Sequence, residues 1–474
     1  MSESLDGQHF DAVIIGAGMS GLAAGIRLAQ FDKKVLIVER HNAPGGLNSF
    51  YSIGGRKFDV GLHALTNFVR PGVKGTALGK LLKQLRIRRE ELQLAEQKGS
   101  RIAFPSESLG FGNDFGYLES EVARAFPRSI DGFRKLVTSI PSLNDPDLYT
   151  RNESARSVLE HTISDPLLIE MLLCPIMYYG SATEHDLDFG QFAILFRSIF
   201  LEGFARPREG IRPIIRLLLD KYRSLGGKRK MKCGVARIHV RSGRVHALEF
   251  DSGESVTADH VLSSAGLVET MRLCDDQPPD VGAEWVGRLS FVETISVLDC
   301  QPKDLGWEDT ITFFSTTDQL HYQQPEVPVD LRSGTICFPN NYDYGEAGEL
   351  PEGMLRVTAL ANYEAWTRSD DVVYRDMKAL YFQEVKDMAL SVLPSVSGEV
   401  MDGHTVFTDM FTPRTLKRFT GHLRGAIYGS TNKMRNGNTH LNNLYLCGTD
   451  QGLLGITGAL LSGITVANTR ILAS

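Results

Sequence analysis

The chain has no cysteine pair spaced as a metal clip or a disulfide framework. Its six cysteines, Cys174, Cys233, Cys274, Cys300, Cys337 and Cys447, are scattered without a C-x-x-C. That argues against a zinc module and fits a reducing compartment. Positive charge is also short. Against 57 Asp and Glu stand 51 Lys and Arg, a net charge of −6, so no general nucleic-acid surface is expected. The basic runs at 86–89 and 228–230 read as solvated turns. Met1–Gln8 is polar and carries no secretory signal, and there is no internal repeat, low-complexity tract or flexible linker. The apolar stretch Leu453–Leu472 is interrupted by Thr457, Thr465, Asn468, Arg470 and several glycines. It reads as a buried helix rather than a membrane span. No G-x-S-x-G elbow and no metal-ligand spacing is present: His161 and His185 stand alone, and His239 and His246 fall in expected strands. These absences lead to the expectation of a cytoplasmic protein without a bound metal.

What is present begins at Phe10. Asp11–Ile15 is a short buried-strand run, Gly16-Ala17-Gly18-Met19-Ser20-Gly21 follows at once, and a small-residue helix runs through Ala23, Ala24 and Leu28. Val35–Val38 is a second strand ending on Glu39. In such a unit Gly16 permits the turn, Gly18 lets the backbone approach a pyrophosphate, and Gly21 lets helix pack on strand. The helix N-terminus at Ser20 offers N–H groups to phosphates, and Glu39 is placed to hold a ribose diol.

Two further features favour FAD over NAD. Gly45 and Gly46 follow Glu39 closely and allow a second close approach to a dinucleotide. Near the C-terminus, Gly448, Asp450, Ile456 and Thr457 sit in a second strand–turn–helix unit. Its acid is suited to a ribityl hydroxyl, and its helix N-terminus to negative charge on a reduced flavin ring.

The chain reads as α/β, with a Rossmann-like FAD-binding domain interleaved with an α+β substrate-binding domain. The first takes residues 1–100, 205–289 and 406–474; the second takes 101–204 and 290–405. A helix is expected over Leu78–Leu94 and another over Gly210–Tyr222. A strand meander is expected over Val235–Val240, Arg244–Phe250 and Ser255–Thr257, and a separate buried strand from His260. The region from Arg101 to Phe204 reads as mostly helical, with Pro166–Gly180 densely apolar.

Gly16–Gly25, Glu39, the run Phe58-Asp59-Val60-Gly61-Leu62-His63, the segments Thr412–Thr415, Arg418–Gly421 and Gly425–Gly429, and the closing Gly448–Ala459 block together resemble the amine oxidase/phytoene desaturase superfamily. Within it they are most similar to the carotenoid isomerase, retinol saturase and phytoene desaturase branch. The resemblance implies FAD as cofactor and a backbone contact from Val235 to the adenine. It places Tyr428 and Arg414 near the flavin. It also implies desaturation, isomerisation or saturation of carbon–carbon bonds in an apolar, carotenoid- or retinoid-like substrate, together with peripheral membrane contact. The family often carries Gly-Gly-Arg after the ribose acid. Here Leu47 follows Gly46, which leaves Arg40 and Arg56 as candidates to neutralise the phosphates.

By the same resemblance His63 lies near the flavin, either as a proton donor or as a hydrogen-bonded structural histidine. The apolar Pro166–Phe204 region reads either as a membrane patch or as a buried helix pair. Two alternatives stand beside the polyene enzyme. One is an amine oxidase or protoporphyrinogen-oxidase-like enzyme, disfavoured by the lack of Trp, Tyr and Phe in Gly448–Gly463. The other is a flavin-binding scaffold without turnover. The oligomeric state is not legible.

Overall fold

Apolar runs buried on both faces build a parallel sheet. The computed structural model describes residues 4–61, 63–68, 70–140 and 153–473, so Leu62 of the Phe58–His63 motif lies outside the described residues. Strands Lys228–Met231, Val35–Glu39, His9–Ile15, Ser255–Ser263 and Leu444–Leu446 lie side by side in that order, all parallel. The antiparallel pair Val235–Arg241 and Arg244–Phe250 attaches to the first residues of Ser255–Ser263, with Leu248 opposite Val256. The meander's last strand and the buried run from His260, expected to be separate, are therefore one strand. Its first two residues, Ser255 and Val256, pair antiparallel with Glu249 and Leu248, and Thr257–Ser263 continue the parallel sheet beside His9–Ile15. Helices Met19–Ala29 and Gly455–Val466 cover this sheet and pack on each other.

The helix expected over Leu78–Leu94 is shorter. It spans Ala77–Leu85 and stops where Arg86 adopts a left-handed φ of 53°, an αL stop. A short turn, Arg89–Leu92, and a strand, Leu94–Gln97, follow.

The second sheet has the order Thr405–Phe411, Ser290–Leu298, Gly353–Ala361, Ser333–Cys337, Ile311–Ser315, Ser100–Ala103 and Ser108–Phe111. Only the Ile311–Ser315/Ser100–Ala103 pair is parallel. Two features differ from the sequence reading. The region after Arg101 opens with a hairpin that extends this sheet before its helices begin. The strand Thr405–Phe411, of which all but Thr405 was assigned by sequence to the first domain, pairs with Ser290–Leu298 of this second sheet, with Glu293 opposite Phe411.

Asp165 caps the helix Pro166–Gly180, accepting from the Leu167 N–H at 3.0 Å. Leu168, Met171, Leu172, Leu173, Ile176 and Met177 on this helix are fully buried. With Phe189, Phe192, Leu195 and Phe196 of the next helix, Phe189–Phe196, also buried, the two helices pack as the buried pair that the sequence offered as one reading of Pro166–Phe204. Among the described residues no helix is long and apolar enough to cross a membrane.

Candidate functional site

The turn after the first strand is as tight as its glycines allow. Gly16 has φ +103°, and a Cβ there would lie 2.3 Å from Ser264 Oγ; a Cβ at Gly21 would lie 2.1 Å from the Gly16 carbonyl oxygen. Gly21 thus faces the turn and not the open space. Gly18 differs: a Cβ there would meet nothing within 4 Å, because its face opens into a cavity. Gly45, at φ +113°, donates its N–H to the Ala17 carbonyl at 2.9 Å. The two glycine pairs therefore form one surface.

Two connected cavities meet at this surface, an outer one of about 710 Å³ and an inner one of about 240 Å³. Gly18, Gly46, Ser264 and His422 line both. Gly16, Glu39, Arg40 and Val235 line the outer cavity; Ser20, Gly45, His63, Gly448 and Ile456 line the inner one. Glu39 is fixed by its own chain. Its Oε2 accepts from the Ala17 N–H and its Oε1 from the His41 N–H, each at 2.8 Å. Each oxygen keeps a lone pair for a further donor. Arg40 has no hydrogen bond or ion pair among the described residues and faces the outer cavity.

Several expected site residues stand elsewhere. Arg56 is held on Glu352 by hydrogen bonds of 2.6 to 3.1 Å and lines neither cavity. Asp450 lines neither. It accepts from the backbone N–H groups of Leu267 and Ser430 at 2.5 and 2.7 Å and faces Lys433 at 3.4 Å. Its oxygens tie three segments of chain together. Thr457 donates to the Thr66 carbonyl at 3.2 Å and faces neither cavity. Arg414 pairs with exposed Asp371 at 2.6 Å, outside both cavities, whereas Tyr428 lines the inner cavity.

The inner cavity is walled by Tyr178, Tyr179, Phe291, Phe313 and Tyr428. Tyr178 stacks on Phe291 at 5.8 Å between ring centroids, and the Tyr428 hydroxyl donates to the Tyr178 carbonyl. These aromatics come from several segments distant in sequence, so their absence from Gly448–Gly463 does not describe the site. Its polar edge is His63, Glu293, Thr335 and Thr358. His63 Nε2 lies 3.2 Å from Thr358 Oγ1 and 3.6 Å from Glu293 Oε1. Burial and the guanidiniums of Arg356 and Arg206 hold the His63 imidazole well below its ordinary value. Of the two readings of His63, a neutral imidazole beside Thr358 agrees better with the hydrogen-bonded structural histidine than with the proton donor.

His422 escaped the sequence reading. It sits where the cavities join, 3.8 Å from Glu269, and the Glu269 carboxylate outweighs the opposing burial to raise its pKa. Nothing in its sequence neighbourhood signals this, since Glu269 lies far away in the chain. Two Cys–Asp–His groups also form outside both cavities: Cys274, Asp276 and His440, and Asp299, Cys300 and His404. Their candidate ligand atoms lie within 4.8 Å, joined by the fold and not by any spacing.

The sequence profile described as "Flavin containing amine oxidoreductase" matches residues 19–469. The chain is 23% identical to an all-trans-retinol 13,14-reductase from Danio rerio, covering 97% of this chain and 85% of that one. It is 24% identical to a phytoene desaturase (lycopene-forming) from Pantoea ananas, over 56% of this chain and 58% of the other. Among solved structures, wild-type putrescine oxidase bound to putrescine superimposes with a TM-score of 0.62 at 16% identity, covering 98% and 99% of the two chains. That last likeness is one of fold.

Proposed function

We propose, from the premise that the chain belongs to the family of flavin containing amine oxidoreductases and is an FAD-dependent oxidoreductase, that it acts on carbon–carbon bonds of an apolar polyene or isoprenoid substrate. The observation that carries this reading is the inner cavity. Its walls are aromatic, and the one carboxylate among its lining residues, Glu293, is bound by both Arg356 nitrogens Nε and Nη2 at 2.8 Å. Arg356 already balances the charge of that carboxylate, so no unneutralised negative charge is left there for a substrate ammonium, and an uncharged substrate buries well against such walls. The similarity to proteins named for retinol and phytoene supports the same class.

The residues present fit FAD. The open face of Gly18 beside the N-terminus of Met19–Ala29 suits the pyrophosphate, with Arg40 and His422 as its cations. Glu39 suits the ribose. The inner cavity, under Gly46, Gly448 and Ile456, suits the ring. When bound, the flavin supplies hydride acceptance or donation. The protein orients the substrate and excludes water. Anaerobic mixing of the FAD-loaded protein with dispersed polyenes and, separately, with amines tests the reading. Flavin bleaching by a polyene supports it. Bleaching by amines alone overturns it.

A further inference from the structure

The hydride half of carbon–carbon bond chemistry belongs to the flavin; the proton half needs a protein group that touches the substrate. We propose that Glu293 is that catalytic residue, with His63, Thr358 and Arg356 as its positioning residues. The inference rests on the proposed function for its substrate class.

The placement is a matter of register. Glu293 lies in the middle of Ser290–Leu298, a strand buried along its whole length. Phe291, Val292 and Glu293 all line the inner cavity, and the two-residue period of a strand puts the Phe291 and Glu293 side chains on one face. Thr358 stands directly opposite Glu293 on the neighbouring strand, and Arg356, two residues before it, reaches the carboxylate. Arg356 also donates to the Asp59 carbonyl at 2.8 Å, and the Asp59 carboxylate in turn holds Arg206 at 2.7 Å. Thr358 Oγ1 sits 3.2 Å from His63 Nε2. A carboxylate in this place is costly, because an apolar residue would fill the centre of a buried strand without desolvating a charge. The cluster fixes that carboxylate at the polar edge of a cavity whose walls include Tyr178, Tyr179, Phe291, Phe313 and Tyr428.

The electrostatics agree with the geometry. Burial pushes Glu293 above the ordinary carboxylate range, Asp59 and Asp409 push the same way, and Arg356 opposes them. His63 is pushed down by burial, Arg356 and Arg206. His63 is thus held as a neutral imidazole, a weak acid, while the shift on Glu293 is toward the working range that general acid–base catalysis requires.

The step balances. In desaturation one carbon loses its proton to a Glu293 carboxylate oxygen. The electron pair of that C–H bond becomes the new double bond as the adjacent carbon gives up hydride, for which oxidised flavin is the acceptor. The carboxylic acid then releases its proton. Saturation runs the same transfers in reverse.

The test has two arms. Infrared difference spectra of the FAD-loaded protein across pH should show a carboxylic-acid band that titrates above the range of exposed glutamates and vanishes in Glu293→Gln. Spectra identical in the variant and the wild type overturn the assignment. The second arm is read on a wild type that converts a polyene. Glu293→Gln should slow flavin reduction at saturating polyene by about 100-fold or more, with polyene Kd and FAD content held. A rate close to wild type, or a loss confined to Kd, overturns it. Should Glu293→Gln fail to fold once the charge facing Arg356 is gone, Glu293→Asp keeps the charge and withdraws the oxygens; it should lose rate with FAD retained, and an unchanged rate overturns the proposal. A wild type inert to every polyene contradicts the proposed function alone and leaves the infrared arm to decide on Glu293.

Discussion

Gly463 rests directly on the backbone of Ser20: a Cβ at Gly463 would lie 2.0 Å from the Ser20 carbonyl oxygen and 3.0 Å from the Ala24 nitrogen. This contact lets Met19–Ala29 and Gly455–Val466 pack side by side and bring their N-termini, at Ser20 and Ile456, to one cavity. Gly463→Val should therefore destabilise the FAD-free protein by about 1–3 kcal/mol through overpacking, with FAD binding lost as a consequence. Gly18→Ala should do the reverse. Its Cβ enters open space at an ordinary φ of −74°, so folding stability should stay within about 0.5 kcal/mol while FAD affinity falls. Denaturant unfolding and FAD titration on both variants check this.

Glu39 is held by two backbone N–H groups before any ligand arrives. Removing its charge should weaken FAD by the worth of a charge-assisted hydrogen bond, about 1.5–3 kcal/mol or roughly 10- to 100-fold in Kd. Glu39→Gln, measured by calorimetric titration of FAD into the stripped protein, checks the figure. An unchanged Kd would remove Glu39 from the site.

Asp59 and Arg206 form a buried ion pair at 2.7 Å, with side chains 5% and 7% exposed. The second Asp59 oxygen accepts from the Ile211 N–H at 3.1 Å. Asp59→Asn leaves Arg206 without its counter-charge, and should cost about 3–5 kcal/mol of stability. Equilibrium unfolding of the FAD-free protein measures it. The Phe58–His63 motif thus holds structure as much as it serves chemistry.

The two cavity histidines should give opposite pH signatures. The folded pKa of His63 is depressed, so below about pH 6.5 the unfolded chain takes up a proton that the folded one refuses, and stability falls with falling pH. The folded pKa of His422 is raised. Its contribution is complete below about pH 6.5 and is lost as pH rises through the folded value. His63→Asn should flatten the acid side of the stability profile, and His422→Asn the neutral-to-alkaline side. If His422 also serves the phosphates, FAD affinity should decline over that same upper range in the wild type and not in His422→Asn.

How much of this was legible in the sequence depended on distance along the chain. The turn Gly16–Gly21, the acid Glu39 and the pair Gly45–Gly46 are local, and their spacing sufficed to place them on one surface. Long-range partners were not legible. Asp450 reads as a ligand acid until the fold supplies Leu267 and Ser430 as its donors, and Arg56 reads as a free cation until it meets Glu352. Glu293 lies in an apolar run with nothing to mark it, because its partner Arg356 and its neighbour His63 come from different strands and loops. The hairpin Ser100–Ala103/Ser108–Phe111 was missed because two four-residue strands carry too few alternations to outweigh the helical pattern that follows.

The most direct test of the account is a single-turnover experiment without oxygen. FAD-loaded protein is mixed with one equivalent of a dispersed polyene, flavin absorbance is followed, and the polyene is recovered and analysed. The expected result is flavin reduction matched by a product with one more double bond. Where the physiological direction is saturation, pre-reduced flavin is reoxidised with one double bond lost. Flavin that answers to amines while every polyene is recovered unchanged would contradict the account.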